Sequence, residues 1–169
     1  MERTNVTAED QQAITGTPVG FAPDEIRTAE PTRSARLKWV VVVAEELPPG
    51  RAVNAAVCVA AATSRAVTGL LGPDARDADG SVHPGLPWAG CTVLVAPAAA
   101  LVALRAKAAA AADVFVADMP EAAQTTRVYD EYLAAVAGAT GEDLGLLAVG
   151  VVGPRNRVDR IVGRLPLLP

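Results

Sequence analysis

The stretch Trp39-Val40-Val41-Val42-Val43 constrains the fold most. Five apolar residues follow one another with no polar alternation, which is the pattern of a strand buried on both faces. Such a strand needs a covering layer above and below it. Three further strands are predicted at Cys91–Val95, Val114–Val116 and Leu144–Val152. Between and after them run segments of helical character. AVNAAVCVAAATSRAV spans about residues 51–67, an alanine-rich stretch opens at Pro97 and runs to about Ala112, and VYDEYLAAVA follows the third strand. In that last stretch Val128, Tyr132, Leu133 and Val136 share one helical face, opposite Arg127, Asp130 and Glu131. A final helix begins at Gly153-Pro154 and closes at Gly163. Repeated strand-helix units with buried strands predict a three-layer α/β/α domain on about four strands.

Composition refines this picture. Apolar residues make up 51% of the 169-residue chain but aromatics only 4%, so much of the core is expected to be small side chains in close contact. Residues 1–36 are polar and lack a period, and they read as an N-terminal arm, with Val19–Phe21 and Ile26 available to pin part of it. Residues 37–169 form the expected domain. Residues 68–90, dense in Gly, Pro and Asp, read as one long loop.

Charge and patterning narrow the function classes. A net charge of −4 argues against general nucleic-acid binding. No apolar run approaches the roughly 20 residues that cross a bilayer, and MERTNVTAEDQQAITG lacks the apolar stretch of a signal peptide. A cytoplasmic protein with two free thiols is the expectation. One His and two scattered Cys lack metal-ligand spacing, so neither a metal nor a cofactor is expected.

Several residues stand out chemically. Asp118-Met-Pro-Glu121 has the form of a capping box, so Asp118 is read as a helix cap, as a functional acid, or as both. Asn54 is a lone amide among Ala and Val one turn before Cys58; it either bonds locally or lines a polar pocket. Cys58 reads as a small core residue. The loop HPGLPWAGC gathers His83, Trp88 and Cys91. There His83 and Trp88 are read as pocket-walling or proton-handling residues, or as plain loop structure, with Cys91 turned into the core. Arg155 and Arg157, at the start of the last helix, read as a phosphate site on free backbone N–H groups or as a solvated face.

Three segments carry a family resemblance: LKWVVVVAEELPPGRAVNAAVCVAAA, VFVAD and VGVVGPRNRVDRIVGRLPLL. They resemble the opening, third-strand and closing segments of the archaeal/eukaryotic-type peptidyl-tRNA hydrolases. With DADG, GLPW and Y-x-x-Y-L added, residues 37–168 resemble more closely a bacterial family, Domain of Unknown Function 2000, related to those hydrolases in fold. The resemblance implies an aspartate at Asp118 and a threonine near Thr125. It also implies a mixed, about four-stranded sheet of peptidyl-tRNA hydrolase II-like order, and together with the readings of Asn54 and Trp88 above it gives a candidate ligand site of Arg51, Asn54, Trp88, Thr125 and Arg127. The hydrolases' lysine, glutamine and histidine positions fall here on Val53, Val57 and Ala60, and the glycine after the aspartate is replaced by Met119-Pro120. The implied function is a hydrolase or transferase acting on a small or tRNA-linked acyl compound, with Asp118 as the family's acid; His83, from the loop rather than from the resemblance, is the second catalytic candidate. The alternatives are a non-catalytic ligand-binding module and a homo-oligomeric structural protein. The expected assembly is a homodimer.

Overall fold

The computed structural model describes residues 18–169, so the first seventeen residues of the expected arm lie outside the described residues. One four-stranded mixed sheet organises the chain, built from β1 (Leu37–Ala44), β4 (Thr92–Ala96), β5 (Phe115–Pro120) and β6 (Leu146–Pro154) in the order β4-β1-β6-β5. β1 runs parallel to β4 and antiparallel to β6, and β5 pairs antiparallel with β6. The two apolar runs are thus the central strands, and every residue of β1 except Lys38 is buried.

Alternation along β1 splits the core. Trp39, Val41 and Val43 face one cluster with Ala52, Ala55 and Val59 of α1 (Pro49–Ala66). Val40 and Val42 face the other, with Leu101 and Leu104 of α2 (Ala98–Ala109) and with Val158, Ile161 and Val162 of α5 (Arg155–Val162). Small residues let α1 approach the sheet closely. A Cβ on Gly150 of β6 would stand 2.4 Å from Val59 Cγ1. The one buried polar residue of α1, Thr63, is satisfied by donating its hydroxyl proton to the Val59 carbonyl at 2.8 Å.

The structure redraws three stretches. The third strand is longer than its valine core, because β6 continues to pair with it out to Pro120 across a register shift. Asp118 therefore lies inside β5, and no capping box forms; Glu121 holds the N-cap position of the short α3 (Ala122–Thr125). The helix expected from the period at 128–136 is a separate element, α4 (Tyr129–Ala137), none of whose residues is buried. Residues 68–90 are not a plain loop. They carry the ribbon β2 (Ala75–Arg76) and β3 (Val82–His83), and Leu71 bridges to Pro87.

Residues 18–36 lie against the domain. Phe21 is buried, its N–H donates to the Thr68 carbonyl at 2.9 Å, and its ring tilts against Trp88 with centroids 4.7 Å apart. Val19 and Ile26 pack partly buried on the same cluster. Gly69, at φ 66°, has no room for a side chain, because the Phe21 carbonyl oxygen would sit 2.7 Å from its Cβ.

Candidate functional site

Asp118 gives the starting point. It sits on β5, one of the two edge strands of the sheet, and among the described residues it is the only acid lining a cleft of about 490 Å3. α1 supplies Asn54, Cys58 and Ala62, β5 supplies Asp118 and Met119, and the α3–α4 segment supplies Arg127, Tyr129 and Tyr132, among others. Cavities of a few hundred Å3 with a mainly apolar lining and a few polar groups suit small organic ligands.

A side chain that sequence reasoning missed sets the electrostatics. Arg105 of α2 donates from Nε to Asp118 Oδ2 at 2.6 Å, a charge-assisted bond to a carboxylate only 18% exposed. Arg105 stands alone among apolar residues in LVALRAKAAA, which could have marked it as wanting a partner, but nothing in that pattern names Asp118. Tyr132 stands with Tyr129, their ring centroids 5.3 Å apart and tilted at 53°. Burial first, then the neighbouring Tyr129 and Asp118, push the Tyr132 phenol above its usual range, so it stays a neutral donor at physiological pH. Arg127 opens onto the same cleft, and among the described residues its guanidinium has no hydrogen-bond or ion-pair partner.

A second missed residue, Gln124, fastens α3 to the start of α1. Its amide donates to Asn54 Oδ1 and to the Arg51 carbonyl, both at 3.0 Å, and its Oε1 accepts from Arg51 Nε at 2.6 Å. Asn54 is thus held at the cleft rim with its carbonyl oxygen occupied, and Arg51 serves the clasp instead of lining the cleft. Cys58 is exposed and lines the cleft, where the small-residue pattern had suggested core.

Other singled-out residues go elsewhere. Thr125 turns its hydroxyl onto the carbonyls of Glu121 and Ala122, while its neighbour Thr126 lines the cleft. His83 lies on the β2–β3 ribbon, with Nε2 3.3 Å from Asp77 Oδ2. Asp77 is held below the usual carboxylate range chiefly by the Ser81 N–H and then by His83. Trp88 is a buttress: its indole N–H donates to the Gly69 carbonyl at 2.9 Å, and its ring backs Phe21. Cys91 is exposed as a residue, yet desolvation of its thiol pushes the pKa up to about 11, which disfavours the thiolate a nucleophile would need. Arg157 pairs with Asp113 at 3.3 Å, and Arg155 donates to the carbonyls of Thr32 and Ala35 at 3.3 Å each. Asn54, Asp118 and Arg127 therefore share the cleft; His83, Trp88, Arg155 and Arg157 do not line it.

A model of a protein family of unknown function, DUF2000, matches residues 37–169. The chain belongs to the DUF2000 family. Its matched region begins at β1, so the segment carrying Phe21 precedes the family domain. A solved structure of a protein of unknown function from Agrobacterium tumefaciens strain C58 is similar to this DUF2000 chain. The TM-score is 0.71 at 17% sequence identity, covering 79% of this chain and 98% of the other. That likeness shows a shared fold. No curated protein matches the chain. Among the described residues of this DUF2000 protein, no helix is long and apolar enough to cross a membrane.

Proposed function

We propose that the α1–β5–α4 cleft binds a small organic ligand with an apolar body and a polar end, and that Asp118 anchors it without catalysing its hydrolysis. The convergence of Asn54, Asp118, Arg127, Tyr129 and Tyr132 on one cleft carries this reading. The tyrosine pair offers flat apolar surface, and the Arg127 guanidinium offers donors for a carboxylate or carbonyl oxygen. The helices on both faces of a mixed sheet also support relating the domain to the peptidyl-tRNA hydrolase fold, which makes an acyl compound a ligand class to try first. The tie to Arg105 favours an anchor over a base. One of its two carboxylate oxygens is already engaged by the guanidinium at 2.6 Å, which fixes the orientation in which the group meets a ligand.

Native mass spectrometry of protein purified from its host tests binding directly. The wild type is expected to retain a small molecule that Tyr132→Ala loses, both variants remaining folded by circular dichroism. Equal retention in the two would remove the cleft as the site. Peptidyl-tRNA cleavage separates binding from catalysis: wild type and Asp118→Asn are expected to show the same background rate. A rate that depends on Asp118 would replace the binding reading with a hydrolytic one.

A further inference from the structure

A second cavity, about 220 Å3 in volume, shares no lining residue with the cleft. It is walled by Thr32 and Arg33 from the segment before β1, by Lys38 and Trp39 of β1, by 89–92 leading into β4, and by Arg155 at the start of α5. Three of these side chains are cations and none is an acid, in a chain whose net charge is −4. Like charges are gathered here against the overall balance, and among the described residues the one acid in contact with them, Asp159, pairs with Lys38 from outside the lining and leaves Arg33 and Arg155 without an ionic partner.

Each cation keeps donors to spare. Lys38 Nζ gives one bond to Asp159 at 2.6 Å, and an ammonium has three protons. Arg155 is fixed by two carbonyls through a single terminal nitrogen, Nη2, so its other N–H groups are uncommitted by those bonds. Arg33 is exposed and, among the described residues, has no ion-pair or hydrogen-bond partner.

We propose that this cavity is an oxyanion site for the phosphate group of a small phosphate or phosphomonoester, with Arg33, Lys38 and Arg155 as its cations. The sequence pattern pairs Arg155 with Arg157. The fold substitutes Arg33 and Lys38, because Arg157 is turned to Asp113. The volume has room for a phosphate-sized group, being several times the ~30 Å3 that one water occupies.

The test is calorimetric titration of the full-length protein with inorganic phosphate and with phenyl phosphate, against sodium chloride at matched ionic strength. Saturable one-site binding of phosphate is expected, weakened at least tenfold in Arg33→Gln and unchanged in Arg157→Gln. Arg33 is exposed, so its substitution leaves the fold intact, and unchanged melting temperature in phosphate-free buffer checks this. Binding of phenyl phosphate but not inorganic phosphate would still support the site and identify an ester as its ligand. An equal response to chloride would overturn the proposal as simple screening. So would full binding in Arg33→Gln, or equal loss in Arg157→Gln, which would mark diffuse charge.

Discussion

At the scale of single residues, the Arg105–Asp118 pair decides what the cleft can do. The carboxylate is mostly buried while the guanidinium is 40% exposed, so the bond is partly screened and its two ends are not equivalent. Removing the arginine strands a largely desolvated charge, whereas Asp118→Asn keeps an oxygen for Arg105 to donate to. Arg105→Met is therefore expected to destabilise the fold by about 1–2 kcal/mol, and Asp118→Asn by about half as much or less. Urea denaturation of both variants checks the order; a larger loss in Asp118→Asn would mean that the guanidinium, not the carboxylate, depends on the pair. Asp118 itself could be singled out from its place after VFVA. That it lies within a strand and is bonded to α2 could not, because the capping pattern Asp-Met-Pro-Glu is locally sound and was overruled by pairing with β6.

At the scale of elements, the segment ahead of β1 depends on a charge pair that acid can dissolve. Glu25 accepts from both Nε and Nη2 of Arg36 and from the Ala22 N–H. The bond from Arg36, then that from Ala22, hold its pKa at about 2, below the ordinary 4.5. A carboxylate with a depressed folded pKa stabilises fully above its unfolded value and loses that contribution as pH falls through the folded one. The attachment of this segment is thus expected to be unaffected down to about pH 4.5 and to weaken between 4.5 and 2. Trp88, packed on Phe21, reports the change through its fluorescence; Glu25→Gln is expected to flatten that acid transition. No shift in signal until the whole domain unfolds would show that Phe21 alone holds the segment. The sequence offered Phe21 as a pin, yet the Glu25–Arg36 contact spans eleven residues and has no helical or strand period to announce it.

At the scale of the whole molecule, the approach of α1 to β6 sets both the core and the cleft. Gly150 makes room for Val59, and the same helix carries Asn54 and Cys58 to the cleft wall. Gly150→Ala must push α1 away from the sheet, and overpacking of this kind costs about 1–3 kcal/mol. For a chain of this length that lowers the melting temperature by roughly 2–4 °C per kcal/mol. Differential scanning calorimetry checks it, and the paired variant Gly150→Ala/Val59→Ala is expected to recover part of the loss by relieving the contact. No recovery would place the strain in the β6 backbone.

The sequence by itself determined the layered α/β architecture: unbroken valine runs have no wet face, so helices must cover both sides of the strands carrying them. It also determined the small-residue character of α1 and the family of residues 37–169. Tertiary structure alone decided the chemistry. Arg105 meets Asp118 and Gln124 clasps Asn54 and Arg51 through contacts between separate elements, while Arg33, Lys38 and Arg155 come to line one cavity. The reason is physical. Burial is imposed by each segment's own periodicity and can be seen locally, whereas the partner of a polar group is whichever side chain the finished packing brings within about 3 Å of it.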